Sequence, residues 1–185
     1  MENLVEADGL RLRRAVKEDV ERLWEICRGQ TAEEFCLWGA DLVYEYPPRL
    51  EQMRRRFEAL FGDAVLFAAE CGGQVVGFAE IGELDPAEKC GVLARVLLEK
   101  GRRGKGRGKE LVNLVLDQAA GTLGLEEVKL IVYAGNLRAQ RCYEACGFVR
   151  GKALLRPGRP DAWWMRADLR ERRGGSQPSQ RLKGV

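Results

Sequence analysis

Near the middle of this chain a basic, glycine-rich turn joins an apolar run to an amphipathic one, and no other stretch limits the fold so much. Leu93-Ala94-Arg95-Val96-Leu97-Leu98 reads as a buried strand. Glu110-Leu111-Val112-Asn113-Leu114-Val115-Leu116-Asp117-Gln118-Ala119-Ala120 reads as an amphipathic helix. Between them, Gly104, Gly106 and Gly108 leave backbone N–H groups unshielded. Free N–H groups at a helix start, with the positive end of the helix dipole, form an anion site. Arg103, Lys105, Arg107 and Lys109 add positive charge. The physical reading is a phosphate cradle.

Two familiar cradles do not fit. A P-loop needs Gly, four residues, then Gly-Lys-Ser/Thr. Aligning Gly108-Lys109 with its end puts Arg103 at the first glycine and Glu110 at the magnesium-binding hydroxyl. A dinucleotide fingerprint needs G-x-G-x-x-G near a domain's start. Gly104-Lys105-Gly106-Arg107-Gly108 has the wrong spacing and lies mid-chain. A flexible basic linker, or an arginine-glycine segment that binds RNA without order, leaves the flanking strand and helix unexplained.

The segment Arg103-Gly104-Lys105-Gly106-Arg107-Gly108 resembles the acyl-CoA pyrophosphate loop of the GCN5-related N-acetyltransferase (GNAT) family, Gln/Arg-x-x-Gly-x-Gly/Ala. Downstream, Asn136-Leu137-Arg138-Ala139-Gln140-Arg141-Cys142-Tyr143-Glu144-Ala145-Cys146-Gly147-Phe148 is similar to that family's N-x-x-A-x-x-x-Y-x-x-x-G-F segment. The two motifs stand at the family's spacing, with a strand between them. Leu37-Trp38-Gly39, then Tyr46-Pro47 and the run after it, resemble the branch that holds ribosomal-protein N-terminal and polyamine acetyltransferases.

A chain of 185 residues suits one domain with an ordinary core. No apolar run is long enough to cross a bilayer, and Met1–Asp8 lacks the basic and apolar regions of a signal peptide. The expected location is therefore cytoplasmic, without membrane contact. Six cysteines occur with no C-x-x-C pair, so free thiols are the default. Cys142 and Cys146 share a helix face, but the chain has no histidine. Core packing explains the pair better than a metal, and no metal is expected.

Charge is uneven. Residues 30–90 hold five cations and twelve acids, while residues 166–185 carry six cations and two acids. A basic cofactor loop beside an acidic N-terminal half suits an anionic cofactor and a cationic amine acceptor.

The remaining pattern gives the fold class. Strands are expected over 10–15, 64–70, 74–81, 91–98, 127–133, 148–155 and 162–167, and helices from Asp19, over 49–61, over 110–120 and after an Asn136 cap. This is an α/β (α+β) chain: a mixed sheet of about seven strands with helices on its faces. The resemblance adds a mostly antiparallel single domain over residues 1–169 with a splayed middle strand pair. From Arg170 onward the chain is basic and Gly/Ser/Gln-rich, and a disordered tail is expected over 170–185.

The resemblance implies an acetyl-CoA-dependent N-acetyltransferase acting by direct amine attack in a ternary complex. Val96, Leu97 and Leu98 would pair with the pantetheine arm, and Arg103 to Lys109 (including Gly104, Lys105, Gly106, Arg107 and Gly108) would hold the pyrophosphate. Tyr143 matches the tyrosine that protonates the leaving thiolate, although a thiol of pKa about 8.5 leaves fairly well unaided. Asn136 would reach the cofactor arm, but its capping role alone explains it. Glu80 is the first candidate base and Glu83 the second. Trp38, Tyr44 and Tyr46 are candidates to contact the acceptor, a small-molecule amine or a protein N-terminus, or simply to pack under a loop. Specific nucleic-acid binding is not expected, and a homodimer fits this reading. The alternative is a non-catalytic module that keeps CoA as a ligand, or a basic-tailed RNA-associated protein.

Overall fold

The computed structural model describes residues 9–155 and 157–174. The signal-peptide reading of residues 1–8 falls outside them. The elements, in chain order, are β1 (Arg11–Arg14), α1 (Asp19–Arg28), α2 (Ala32–Leu37), α3 (Leu50–Leu60), β2 (Val65–Cys71), β3 (Gln74–Asp85), β4 (Cys90–Leu98), α4 (Arg107–Gly121), β5 (Glu127–Tyr133), α5 (Leu137–Glu144), β6 (Val149–Leu154) and β7 (Ala162–Asp168). Short 3-10 turns cover Ala40–Leu42, Lys100–Arg102 and Arg170–Gly174.

The seven strands form one sheet in the order β1-β2-β3-β4-β5-β7-β6. Every neighbouring pair is antiparallel except β4 with β5. Residues of β2 alternate between the two faces: Val65, Phe67 and Ala69 pack with α4, and Ala68 packs with α1, α2 and α3. Burial on both faces explains why β2 reads as a continuous apolar run rather than an alternating one. On α4, Leu111, Val112, Val115, Leu116, Ala119 and Ala120 are buried. Each large one contributes about 1.5–3 kcal/mol of burial.

The middle of the sheet opens. The β4–β5 pairing covers only Cys90–Glu127, Gly91–Val128 and Val92–Lys129. Beyond Val92, β4 continues to Leu98 with β3 as its partner and leaves β5 behind. A bulge accompanies the opening. Phe78 pairs with Leu97 and Glu80 with Ala94, so Arg95 and Val96 stand against the single residue Ala79. Arg95 takes φ +50°, a left-handed conformation that costs a branched or long side chain about 1 kcal/mol. Gly77 lets the strands approach on the other side of the bulge. A Cβ there would lie 2.6 Å from the Leu97 carbonyl oxygen.

The described residues reach Gly174, five residues into the expected tail. Arg170–Gly174 form a 3-10 turn, and the Arg172 guanidinium donates to Asp117 at 2.8 Å, Asn113 at 2.9 Å and the Cys146 carbonyl at 3.2 Å. Residues 175–185 lie outside the described residues. No described helix is long and apolar enough to cross a membrane.

Candidate active site

The gap between β4 and β5 is flanked by two cavities that share Leu37, Trp38, Val96, Asn136, Ala139 and Tyr143. The first, of about 350 Å³, runs from these residues toward Gly104 and Gly108 at the start of α4. The second, of about 240 Å³, lies toward Leu42, Glu83, Ile131 and Tyr133.

The first cavity ends on main chain. Gly106 is the N-cap of α4 at φ +79°, and no side chain caps the helix. Hypothetical Cβ atoms on Gly104 and Gly106 meet nothing within 4 Å, so these glycines open onto free space. An uncapped start of a 15-residue helix, open to a cavity, suits a diphosphate. The cations contribute less directly than their number suggests. Arg103 lines the cavity, but its Nε donates to the Leu98 carbonyl at 2.8 Å and its Nη1 reaches Glu34 at 3.4 Å. Arg107 Nη1 reaches Glu110 at 3.1 Å. Lys105, Gly106, Arg107 and Lys109 are absent from the cavity wall, and Lys105 and Lys109 are exposed. Val96, Leu97 and Leu98 do form part of the wall.

Helix α5 forms the opposite wall. Asn136 accepts from the Ala139 N–H at 3.1 Å as N-cap, and its Nδ2 donates to the Leu37 carbonyl at 3.0 Å. The second bond ties α5 to the end of α2 across the gap. Buried Gln140 donates to the carbonyls of Tyr133 at 3.0 Å and Ala134 at 2.8 Å, locking α5 onto the end of β5. Helical spacing then puts Ala139 and Tyr143, and Arg138 and Cys142, on the cofactor-side face. The Tyr143 ring packs edge-on against Phe148 at 5.6 Å. Burial, with the neighbouring thiols Cys142 and Cys146, pushes its phenol above the ordinary range, so it remains a proton donor at neutral pH.

The remaining candidate residues fall in different surroundings. Glu80 is buried between two guanidiniums, with Arg95 at 3.6 Å and Arg56 at 3.9 Å, and lines neither large cavity. It pairs with Ala94 beside the bulge, where both guanidiniums reach the same carboxylate oxygen. The second candidate, Glu83, is exposed at φ +48° and lines the 240 Å³ cavity. Of the three aromatic candidates, only Trp38 lines the cleft. Its ring nitrogen donates to Gln30 at 2.8 Å and its ring meets Phe35 in a T-shaped contact at 5.5 Å. Tyr44 is buried in the core under α1 and α3, where burial pushes its phenol up to about 12. The Tyr46 hydroxyl donates to the Gln30 carbonyl at 3.0 Å while the ring packs on Phe35.

Sequence reasoning missed Arg138, Ala139 and Cys142 as cavity wall. The i,i+4 offset from Tyr143 to Ala139 was a usable signal. Cys142 is not simply core. The neighbouring Cys146 thiol, with the charges of Arg138 and Lys109, lowers its pKa below the usual thiol value, while the Cys146 S–H itself donates to the Lys109 carbonyl at 3.6 Å. No group of metal-ligating side chains occurs among the described residues.

Structures of known proteins share this architecture. AAC(6')-Ib in complex with ribostamycin and coenzyme A superposes with a TM-score of 0.75 at 21% identity, covering 94% of this chain and 100% of that one. The crystal structure of spermidine N-acetyltransferase from Vibrio cholerae with CoA and spermine gives 0.73 at 20% identity, covering 86% and 95%. A chimera of that enzyme with hSSAT gives 0.74 at 20%, covering 89% and 98%. At these identities the likeness is one of fold. The family model described as Acetyltransferase (GNAT) family matches residues 21–148, a span that includes the split sheet, the α4 loop and the Asn136–Phe148 segment. The chain belongs to the acetyltransferase (GNAT) family.

Proposed function

We propose that the protein is an acetyl-CoA-dependent N-acetyltransferase that moves an acetyl group from the CoA thioester to a primary amine within a ternary complex. The observation that carries this reading is the gap between β4 and β5, with one cavity on each side and Tyr143 lining both. The titled partners of the similar structures, CoA with ribostamycin and CoA with spermine, support the same use of this fold.

Each residue then has a task. The free N–H groups at the start of α4 hold the diphosphate. The main chain of Val96–Leu98 has no β5 partner, and its groups other than the Leu98 carbonyl, which accepts from Arg103, hold an extended arm as an added strand would. An N–H near the bulge polarises the thioester carbonyl, and such a preorganised donor supplies about 3–4 kcal/mol toward the transition state. The amine nitrogen forms a bond to the acetyl carbon as the carbon–sulfur bond breaks. Tyr143 donates a hydrogen bond to the departing sulfur. Its raised pKa makes it a stabiliser of the thiolate more than a strong acid. Glu83, directly or through water, takes the proton that the ammonium must lose. Six free thiols suit a reducing compartment, and a cytoplasmic location is part of this proposal.

The test is to incubate the protein with acetyl-CoA and a panel of primary amines, following free thiol and acetylated product together. Equal amounts of both are expected. Acetyl-CoA binding with no thiol release from any amine would favour the non-catalytic CoA-binding module.

A further inference from the structure

The acid-rich stretch 30–90 suggested an acidic acceptor pocket, and the structure does not provide one. Among the residues lining the 240 Å³ cavity, Glu83 is the one carboxylate and Arg95 the one guanidinium. Asp41 stands next to Leu42 but does not line the cavity. None of the other acids of the stretch lines this cavity, and four of them have other places: Glu34 lines the cofactor side, Glu70 pairs with Arg13, Glu45 with Arg49, and Glu80 with Arg95 and Arg56. Arg95 and, behind the wall, Arg56 share the single Glu80 carboxylate, so that carboxylate balances only one of the two guanidiniums. The rest of the lining is largely apolar or aromatic, with Trp38, Leu42, Ile131 and Tyr133 prominent. Leu42 is 45% and Ile131 41% exposed, unusual values for large apolar side chains at the mouth of a cleft.

We propose that the acceptor is a primary amine with one positive charge on an apolar body, and that this cavity rejects polycations. The proposal rests on the acetyltransferase reading above and narrows its substrate. Glu83 receives the ammonium, while Leu42, Ile131, Trp38 and Tyr133 cover the apolar body. A second ammonium finds no carboxylate in the wall and meets the Arg95 guanidinium. Rejection by a like charge is as effective a source of specificity as added attraction. Free aralkylamines and peptide N-termini that begin with an apolar residue carry the same recognisable chemistry.

Steady-state kcat/KM with acetyl-CoA tests this, using 2-phenylethylamine, a phenylalanine-initiated tetrapeptide amide, spermidine and kanamycin. At least one of the two apolar amines is expected to exceed both polycations by about tenfold or more, the size of effect that one unsatisfied charge or one apolar contact produces. The faster of the two apolar amines identifies the source. Higher kcat/KM with spermidine or kanamycin overturns the proposal while leaving the acetyltransferase reading intact. Thiol release from no amine at all, with acetyl-CoA still binding by calorimetry, overturns both. The double variant Leu42→Glu/Ile131→Glu adds carboxylates at exposed positions. It should raise the spermidine to 2-phenylethylamine ratio about tenfold with unchanged acetyl-CoA affinity. An unchanged ratio in a folded variant would contradict the assignment of this cavity.

Discussion

The cofactor side of the cleft ends on main chain, whereas the acceptor side is walled mainly by side chains. At the start of α4 the proposed contacts are main-chain amides in a loop that Gly104 and Gly106 leave open, and the surrounding cations are largely occupied or turned outward. Across Trp38, the cavity proposed for the acceptor is lined by Glu83, Arg95 and a few apolar groups drawn from three distant segments. Main-chain recognition tolerates wide change in side chains but little change in backbone path. Side-chain recognition can be rewritten by one substitution without disturbing the fold. The two halves of one reaction site should therefore respond to mutation in opposite ways.

The largest break in that contrast is expected at Gly106. Gly106→Glu puts a side chain and a negative charge into the diphosphate position, and acetyl-CoA affinity should fall about 100-fold, or ~2.7 kcal/mol. Because φ is +79° there, Gly106→Asn is the control. Asparagine tolerates the left-handed conformation, so this variant should fold and lose less affinity. Wild-type affinity in Gly106→Glu would show that the loop does not hold the cofactor.

Tyr143→Phe comes next. Turnover should fall about 10- to 100-fold while acetyl-CoA affinity stays within about twofold, because the hydroxyl acts on the leaving sulfur. Burial holds the phenol protonated through the ordinary tyrosine range, so the alkaline limb of the kcat profile should be the same in wild type and variant below about pH 10. A limb that disappears in Tyr143→Phe would mean that the phenol ionises within that range.

Gly77→Ala tests the backbone path itself. The added Cβ meets the Leu97 carbonyl at 2.6 Å, so β3 and β4 must separate. Overpacking of this kind costs about 1–3 kcal/mol in chemical denaturation, and cofactor affinity should fall with it. The smallest effect is expected at Asn136. Asn136→Ala removes both the α5 cap and the tie to Leu37, for about 1 kcal/mol of stability.

The same contrast explains what the sequence disclosed. Glycine spacing and the strand–loop–helix order are local signals that marked the α4 loop, and resemblance to a family motif marked the Asn136–Phe148 segment. Helix α4 begins at Arg107, three residues before the expected Glu110, because a glycine at position 108 hides helical residues from a periodicity argument. Strand β3 runs to Asp85 rather than stopping near Ile81, since Gly82 and the left-handed Glu83 interrupt its pattern. Helix α2 has six residues, too few to show a period, although its Thr31–Glu34 capping box was readable. The acceptor wall joins residues near 40, 83 and 131, which only the strand order brings together. Local pattern therefore favoured Tyr44 and Tyr46, aromatic residues that the fold uses for packing.

Backbone amide chemical shifts report most directly on the claim that uncapped N–H groups at α4 deliver a thioester into the gap between β4 and β5. On titration with CoA, the amides of Gly104, Gly106, Gly108 and Lys109 should shift most, together with those of Val96–Leu98. Pantetheine, which lacks the diphosphate, should move only the β4 group. If CoA leaves residues 104–109 unmoved while amides elsewhere respond, the diphosphate is held by another part of the molecule and the account is wrong.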